Sequence, residues 1–275
     1  MFHPLEKTGL PIDFNPCTYE ISFSDLKDPL YGVRRLSAMA PVLEDPTCAG
    51  PDVMYWMYRN TGKKTCDHLL SQHHLRYDLS VYKHEMLGRE FYKTSGHYHP
   101  NVPHTSVPYP EVYEVSKGVA TYVLQKVDDY RACPHEVKVL DFIVLRCEAG
   151  EKAIMPPDYG HITINATGKP MVTTNWVCSE FQSYYISTEL CHGFAYYLVE
   201  ENGKPTWVPN PHYKCELPPI RFARCKDVPE LGLVKDQPIY TACEQNPDLF
   251  RYVSRPVGYE DLMWSGLEFV EQVWP

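Results

Sequence analysis

Two histidines one residue apart, His97 and His99, are the side chains of this sequence best suited to chemistry. On an extended segment both would point to the same face, because side chains alternate along a strand. His161 opens a second run of β-type residues, and Glu111 opens a third. If these strands are neighbours, three imidazoles and one carboxylate converge, and that donor set suits a divalent transition metal such as Zn, Fe, Ni or Mn.

The alternative is a pair of ordinary surface histidines, since the chain has 12 His in 275 residues. The order of the surrounding residues favours the metal hypothesis. The His-x-His pair is followed by Glu111, then Gly118, and later by Gly150 and His161.

Short runs rich in Val, Ile, Tyr and Thr follow one another closely in the middle of the chain, and the 25 Pro leave little room for long helices. Many short strands at this spacing predict an antiparallel sandwich or barrel. A hairpin turn is predicted at 201–204. The predicted strands are 77–82, 89–94, 111–115, 119–127, 137–145, 152–155, 161–165, 171–177, 183–187 and 194–199.

The two ends of the chain differ in composition from its middle. Residues 1 to about 50 are Pro-rich and irregular, and the apolar residues between 51 and 75 predict a helix. The basic pair Arg34 and Arg35 is interpreted as solvated surface or as a partner-facing salt bridge. After about residue 217 the chain is irregular again, with a short helix predicted near 259–273. The predicted division is an N-terminal segment at 1–76, a barrel at 77–215 and a C-terminal extension at 216–275.

Composition restricts the class of partner. The net charge of −9 argues against a nucleic-acid partner, and an anionic substrate would need locally placed donors. No apolar run reaches the length that a membrane span needs. The ten Cys contain no C-x-x-C pair and the N-terminus has no apolar signal region, so we expect reduced thiols in the cytoplasm.

The ordered motifs resemble the cupin superfamily, and more narrowly the archaeal-type phosphoglucose isomerases. Glu111 with Gly118 matches the end of the first cupin motif, and Gly150 with His161 and Asn165 matches most of the second. The matching pieces, in chain order, are 33–37, Met39, Thr94, 96–99, 111–113, 117–118, 124–125, 156–157, His161, Thr163, Asn165 and 200–203.

The resemblance implies a double-stranded β-helix, or jelly-roll barrel, and a homodimer. It implies a cytoplasmic isomerase of glycolysis and gluconeogenesis that interconverts glucose 6-phosphate and fructose 6-phosphate, with one divalent metal per chain. The implied metal ligands are His97, His99, Glu111 and His161. The implied substrate contacts are Thr94 and Gly96 at the phosphate and Tyr113 beside the sugar, with Ser80, Ser95, Tyr159 and Tyr185 as further candidates.

The reaction itself suggests roles for two of these residues. Aldose–ketose isomerisation moves a proton between adjacent carbons, which a carboxylate within reach can do, so Glu111 is the predicted proton shuttle. Tyr113 is predicted to assist it. A bound metal would lower the pKa of Glu111 and weaken it as a base, so the ligand and base roles would be shared or alternate.

The sequence also departs from the family. Eleven residues separate His99 from Glu111 where family members have about six, and this insertion brings in His104 as a rival ligand. The aromatic after the proline pair, Tyr159, is shifted by one position, and Ser183 stands where members carry a histidine. Three alternatives therefore stay open: another cupin metalloenzyme, such as an iron-dependent dioxygenase or an isomerase of another sugar phosphate, a metal- and sugar-phosphate-binding protein without turnover, and a metal-free barrel.

Overall fold

The computed structural model describes residues 1–132 and 136–272. The predicted mostly β fold is confirmed, and its centre is a pair of six-stranded sheets. The strands are β1 (His3–Pro4), β2 (Ile12–Asn15), β3 (Glu20–Phe23), β4 (Leu30–Arg35), β5 (Val53–Arg59), β6 (Leu75–Tyr82), β7 (Tyr92–Lys93), β8 (Glu111–Lys117), β9 (Val119–Val127), β10 (Val139–Glu148), β11 (Lys152–Met155), β12 (Tyr159–Asn165), β13 (Met171–Cys178), β14 (Tyr196–Glu201), β15 (Lys204–Pro209), β16 (Ile220–Cys225) and β17 (Leu267–Val270).

The helices are short, as the proline content predicts. The α-helices are α1 (Asp67–Gln72), α2 (Ile186–Leu190), α3 (Ile239–Gln245), α4 (Arg251–Ser254) and α5 (Glu260–Trp264). Single 3-10 turns lie at Glu6–Thr8, Leu36–Ala38, Ala40–Val42, Lys64–Cys66, Pro229–Leu231 and Pro247–Phe250. Within residues 1–132 and 136–272, none of these helices is long and apolar enough to cross a membrane.

The two large sheets divide the candidate site between them. The first sheet has the strand order β11-β8-β13-β6-β5-β4, and the second has the order β17-β16-β10-β9-β12-β7. Glu111 begins β8 in the first sheet, whereas His161 lies on β12 in the second. The pair β10–β16 is parallel, while the other strand pairs in both sheets are antiparallel.

The main core fills the space around these sheets with large aromatic and aliphatic side chains. Tyr77, Tyr122 and Trp176 are fully buried in it, and all eight residues of β13 are buried. A second core lies on the outer face of β10, where Phe142 packs against Tyr196 of the β14–β15 hairpin at 4.9 Å between ring centroids. The strands are therefore fixed by burial on both faces, which makes their register specific.

Most of the predicted strands are confirmed, including the hairpin turn, where Glu201 pairs with Lys204. Two predictions are wrong in part. The helix predicted at 51–75 forms only as α1, and its first part is β5, because the Val, Tyr and Trp residues there complete a sheet between β4 and β6. The strand predicted at 183–187 is reduced to a single antiparallel bridge between Tyr184 and Tyr98, because α2 begins at Ile186 and ends the pairing.

Both ends of the chain contribute to the sheets. Strands β4 and β5 extend the first sheet, and β16 and β17 extend the second. The division at residues 76 and 215 stays a prediction. The helix predicted near 259–273 is α5 only over Glu260–Trp264 and is followed by β17; residue 273 lies outside the described residues. The described cysteines are free thiols, as expected, and Cys133 lies outside the described residues.

Candidate metal centre

The segment that carries His97 runs antiparallel to β12 and is directly opposite His161. The His97 backbone N–H donates to the His161 carbonyl at 3.3 Å, and the His161 N–H donates to the His97 carbonyl at 3.0 Å. Directly opposite residues of an antiparallel pair point to the same face. Their imidazole ring centroids are accordingly 4.4 Å apart, and His99 lies beside them because it is two residues further along.

Glu111 faces all three imidazoles from the other sheet. Its Oε2 atom lies 3.8 Å from Nε2 of His97, 3.4 Å from Nε2 of His99 and 3.2 Å from Nε2 of His161. The His97 and His99 Nε2 atoms are 3.0 Å apart. One possible ligand atom from each of the four residues thus lies within 4.8 Å of the others. Three imidazole nitrogens and one carboxylate oxygen at this separation fit a divalent transition metal.

Neighbouring groups hold two of these side chains in position. His99 Nδ1 lies 2.9 Å from the carbonyl oxygen of Tyr109, which can only accept, so Nδ1 carries the proton and Nε2 keeps its lone pair for the site. Asn175 on β13 donates from Nδ2 to Oε1 of Glu111 at 2.6 Å. Contacts of this kind orient metal ligands in proteins.

Burial sets the charges in the site. It lowers the pKa of His97 to about 4, helped by His161, and lowers the pKa of His99 to about 3, helped by His97. Burial alone would raise the pKa of Glu111, but the facing imidazoles of His161 and His97 hold that pKa well below its ordinary value. At neutral pH the imidazoles of His97 and His99 are neutral and the Glu111 carboxylate is ionised, which are the forms that bind a cation.

Tyr113 and Tyr185 border the four residues. The Tyr113 hydroxyl oxygen lies 3.4 Å from His161 Nε2, and burial next to Glu111 raises the pKa of Tyr113 well above its ordinary value. This hydroxyl therefore stays protonated and can donate a hydrogen bond. The Tyr185 ring centroid lies 5.1 Å from that of His97. The structure thus places Tyr113 and Tyr185, two of the three predicted tyrosines, next to the cluster.

The predicted phosphate contacts lie on the segment just before His97. The Thr163 backbone N–H donates to the Thr94 hydroxyl at 3.0 Å. The Ser95 hydroxyl is buried and has no hydrogen-bond partner within the described residues. Gly96 has φ +74°, and an added Cβ would stand 2.5 Å from the Ile162 side chain, so the backbone approaches β12 too closely for a larger residue.

Two other predicted contacts lie further away in the fold. Ser80 is in the middle of β6, paired with Thr173 on β13 and Met57 on β5. The Tyr159 hydroxyl donates to Asp141 Oδ2 at 2.8 Å, and its ring packs on Trp264. Tyr159 also lines a cavity of about 320 Å³ that reaches His99. The substrate-binding roles of these two residues stay predictions.

The insertion at 100–110 contacts the candidate site through Tyr109. His104, the predicted rival ligand, is exposed at the tip of this insertion with φ +64°, and it does not belong to the ligand cluster found among the described residues. Tyr109 instead supplies the carbonyl that positions His99, and its ring stacks on Phe181 at 4.7 Å. The longer connection therefore supports the position of a predicted ligand.

Arg34 is a site residue that the sequence interpretation missed. Arg35 is exposed and paired with Asp52, as expected for surface. Arg34, on the opposite face of β4, donates from Nε to the Tyr55 hydroxyl at 3.2 Å, and its guanidinium lies 5.4 Å from the Tyr185 ring centroid. In the described part of the chain it has no carboxylate partner. Strand alternation could have identified Arg34 from the sequence, because adjacent residues of a strand point to opposite faces.

Comparison with known proteins agrees with the resemblance. A family model described as "Glucose-6-phosphate isomerase (GPI)" matches residues 33–216. The glucose-6-phosphate isomerase of Thermococcus litoralis is 30% identical over 128 residues, which are 46% of this chain and 58% of the relative. That of Pyrococcus furiosus is 27% identical over 128 residues, 46% of this chain and 59% of the relative. The chain thus spans less than two thirds of the length of these relatives.

Solved structures give only a distant likeness. A Bacillus subtilis oxalate decarboxylase matches with a TM-score of 0.32 and 14% identity over 50% of this chain and 29% of that chain. A recombinant oxalate oxidase matches with a TM-score of 0.25 and 14% identity over 38% of this chain and 41% of that chain. Scores this low add nothing to the assignment, which follows from the family match. Since that match covers more than half of the sequence, the chain belongs to the glucose-6-phosphate isomerase family.

Proposed function

We propose that this protein is a metal-dependent aldose–ketose isomerase that interconverts glucose 6-phosphate and fructose 6-phosphate. The observation that carries the proposal is the convergence of His97, His99, Glu111 and His161 in a chain of this family. A divalent metal held by these four residues would polarise the sugar carbonyl and hold adjacent sugar oxygens. The sugar-phosphate substrate is inferred from the family. It is part of the proposal, because the chain matches only part of the length of its relatives.

In the proposed reaction Glu111 takes the proton from C2 of the open-chain aldose and returns it to C1. The hydroxyl proton on O2 moves to O1, so an enediol forms and collapses to the ketose with no external oxidant or reductant. Oε2 of Glu111 faces the imidazoles, whereas Oε1 is held by Asn175. Tyr113 donates its hydroxyl proton in a hydrogen bond to a sugar oxygen, which its raised pKa favours.

The phosphate would lie at the end of the site where the Thr94–Gly96 segment passes Tyr185. A hydroxyl from Ser95, which lacks another described partner, suits a phosphate oxygen. Arg34 supplies the positive charge that the net charge of −9 makes necessary. Arg34 forms no ion pair with a carboxylate among the described residues, so its guanidinium is available for charge-assisted hydrogen bonds with phosphate.

The test combines metal analysis with an assay of glucose 6-phosphate isomerisation before and after chelation. His97→Gln should lose both the bound metal and the activity, whereas His104→Gln, a change at an exposed histidine, should keep both. Turnover that survives complete metal removal would contradict the proposal. Oxygen-dependent turnover would identify another kind of cupin metalloenzyme, and a sugar phosphate that binds but stays unchanged with metal present would identify a binding protein.

The proposed activity carries further expectations. Glycolysis and gluconeogenesis follow from the substrate pair. A homodimer and a cytoplasmic location follow from the family resemblance, and both stay predictions.

A further inference from the structure

A second cluster of metal-binding side chains lies where β10 ends beside β16. The two strands are parallel, and their last paired position joins Arg146 to Arg224. The next residues along, Cys147 and Cys225, therefore emerge opposite each other on the same face. Glu151 follows from the turn after β10, and one possible ligand atom from each of the three residues lies within 4.8 Å of the others.

We propose that Cys147, Cys225 and Glu151 form a second metal site for a thiophilic divalent cation such as Zn²⁺. Two thiolates with one carboxylate are a donor set for this class of ion, and three protein ligands leave a fourth position open. A cavity of about 420 Å³ borders Cys225 and Glu151, so that position can be reached from solvent. Cys147 is fully buried, which fixes one ligand inside the barrel.

The spacing of the two strands permits either a shared metal or a disulfide between the two thiols. Neighbouring strands lie about 4.8 Å apart, which is within the range of about 4.4–6.8 Å that separates the Cα atoms of a disulfide. Two sulfurs bound to one tetrahedral Zn²⁺, with Zn–S bonds of about 2.3 Å, lie roughly 3.8 Å from each other. In-register positions on parallel strands can therefore hold a shared metal without being drawn together.

Nearby charges are compatible with this site. Glu151 accepts from Lys235 Nζ at 2.9 Å through Oε1, and from the Glu148 backbone N–H at 2.8 Å through Oε2. A carboxylate has about four lone pairs, so both oxygens can still bind a cation. The Lys235 ammonium also offsets part of the negative charge that two thiolates and a carboxylate would bring beside one divalent ion.

The experiment titrates the metal-free, reduced, full-length protein with Cd²⁺ and follows the ultraviolet thiolate-to-cadmium charge-transfer band. The His97 centre contains no sulfur ligand, so loading it leaves this band unchanged. Cys225→Ser should lower the band at saturating Cd²⁺ by about half, since one of two thiolates is removed. Glu151→Gln should keep the band but weaken Cd²⁺ binding by at least about tenfold, because even an outer-shell partner typically contributes that much.

Cys48→Ser is the matched control, because Cys48 is half-buried like Cys225 but lies outside the cluster. It should leave the band unchanged. A wild-type protein without the band, or a Cys225→Ser variant with the full band, would overturn the proposal. A Cys147–Cys225 disulfide that re-forms after reduction in preference to Cd²⁺ binding would also overturn it and would make the pair a redox site. None of these readouts depends on isomerase activity.

Discussion

The amide nitrogen of Asn175 lies 2.6 Å from Oε1 of Glu111 and donates a hydrogen bond to it. Both side chains are buried, and they come from adjacent strands of the first sheet, β13 and β8. The bond holds one carboxylate oxygen so that the other, Oε2, faces the three imidazoles of the second sheet. The orientation of the proposed base is therefore set by a strand that carries no proposed metal ligand.

Asn175→Ala should lower kcat about 10- to 100-fold and reduce metal affinity, because Glu111 loses the partner that orients it. Steady-state kinetics and metal analysis of the purified variant measure both effects. Asn165→Ala is a useful comparison, since the Asn165 amide bonds to the backbone of Lys83 and Lys169 instead. It should lower thermal stability while activity per folded molecule stays unchanged. Full activity in Asn175→Ala would show that Glu111 needs no such support.

Local patterns explain which features of the site could be predicted from the sequence. Alternation along an extended segment is a local property, so the shared face of His97 and His99 follows from their spacing alone. Asn175 could not be found in this way, because its contact with Glu111 depends on the register between strands 64 residues apart. Cross-strand register is fixed by packing over the whole sheet and not by any short segment.

The same distinction between local patterns and cross-strand register applies to the prediction of the fold. The strands from β8 to β13 alternate or are uniformly apolar and are separated by turn residues, so they could be predicted individually. The run at 51–59 is apolar with no clear period, and only its position between β4 and β6 makes it the strand β5. The surface position predicted for Arg34 is wrong for a related reason. Two adjacent arginines are typical of an exposed segment, and only the membership of β4 in the sheet separates their two faces.

Glu111→Gln should reduce kcat by about a hundredfold or more, because the amide cannot accept the proton from C2. Its metal content, measured on the same preparation, separates the two proposed roles. Metal retained with activity lost would assign Glu111 chiefly to proton transfer, whereas loss of both would assign it to the ligand set as well. Near-native turnover would exclude Glu111 as the base.

Arg34→Gln should raise the KM for glucose 6-phosphate by at least about tenfold, since a hydrogen bond to a charged group is worth about 1.5–3 kcal/mol. It should also weaken binding of inorganic phosphate, measured by calorimetry, while the metal content stays unchanged. Arg35→Gln is the adjacent control, because Arg35 is exposed and paired with Asp52. An equal effect of both substitutions would point to the general charge of the surface and not to a phosphate contact.

Acid should destabilise the metal-free protein through the same histidines. In the unfolded chain His97 and His99 take up protons near pH 6.5, whereas burial lowers their folded pKa values to about 4 and about 3. The unfolded state therefore binds more protons between these limits, and stability falls as the pH drops below 6.5. Between pH 6.5 and 4.5 the loss should be on the order of 2 kcal/mol per histidine. Urea unfolding of the chelated protein at several pH values measures it.

His99→Gln should flatten this pH dependence, because glutamine does not titrate and one of the two depressed groups is removed. His104→Gln should leave it unchanged, since His104 is exposed at the tip of the insertion. The metal-loaded protein should show a steeper loss in the same range, because protons compete with the metal for the imidazoles and release it. A metal-free His99→Gln variant with the wild-type slope would mean that His99 is not held neutral by the fold.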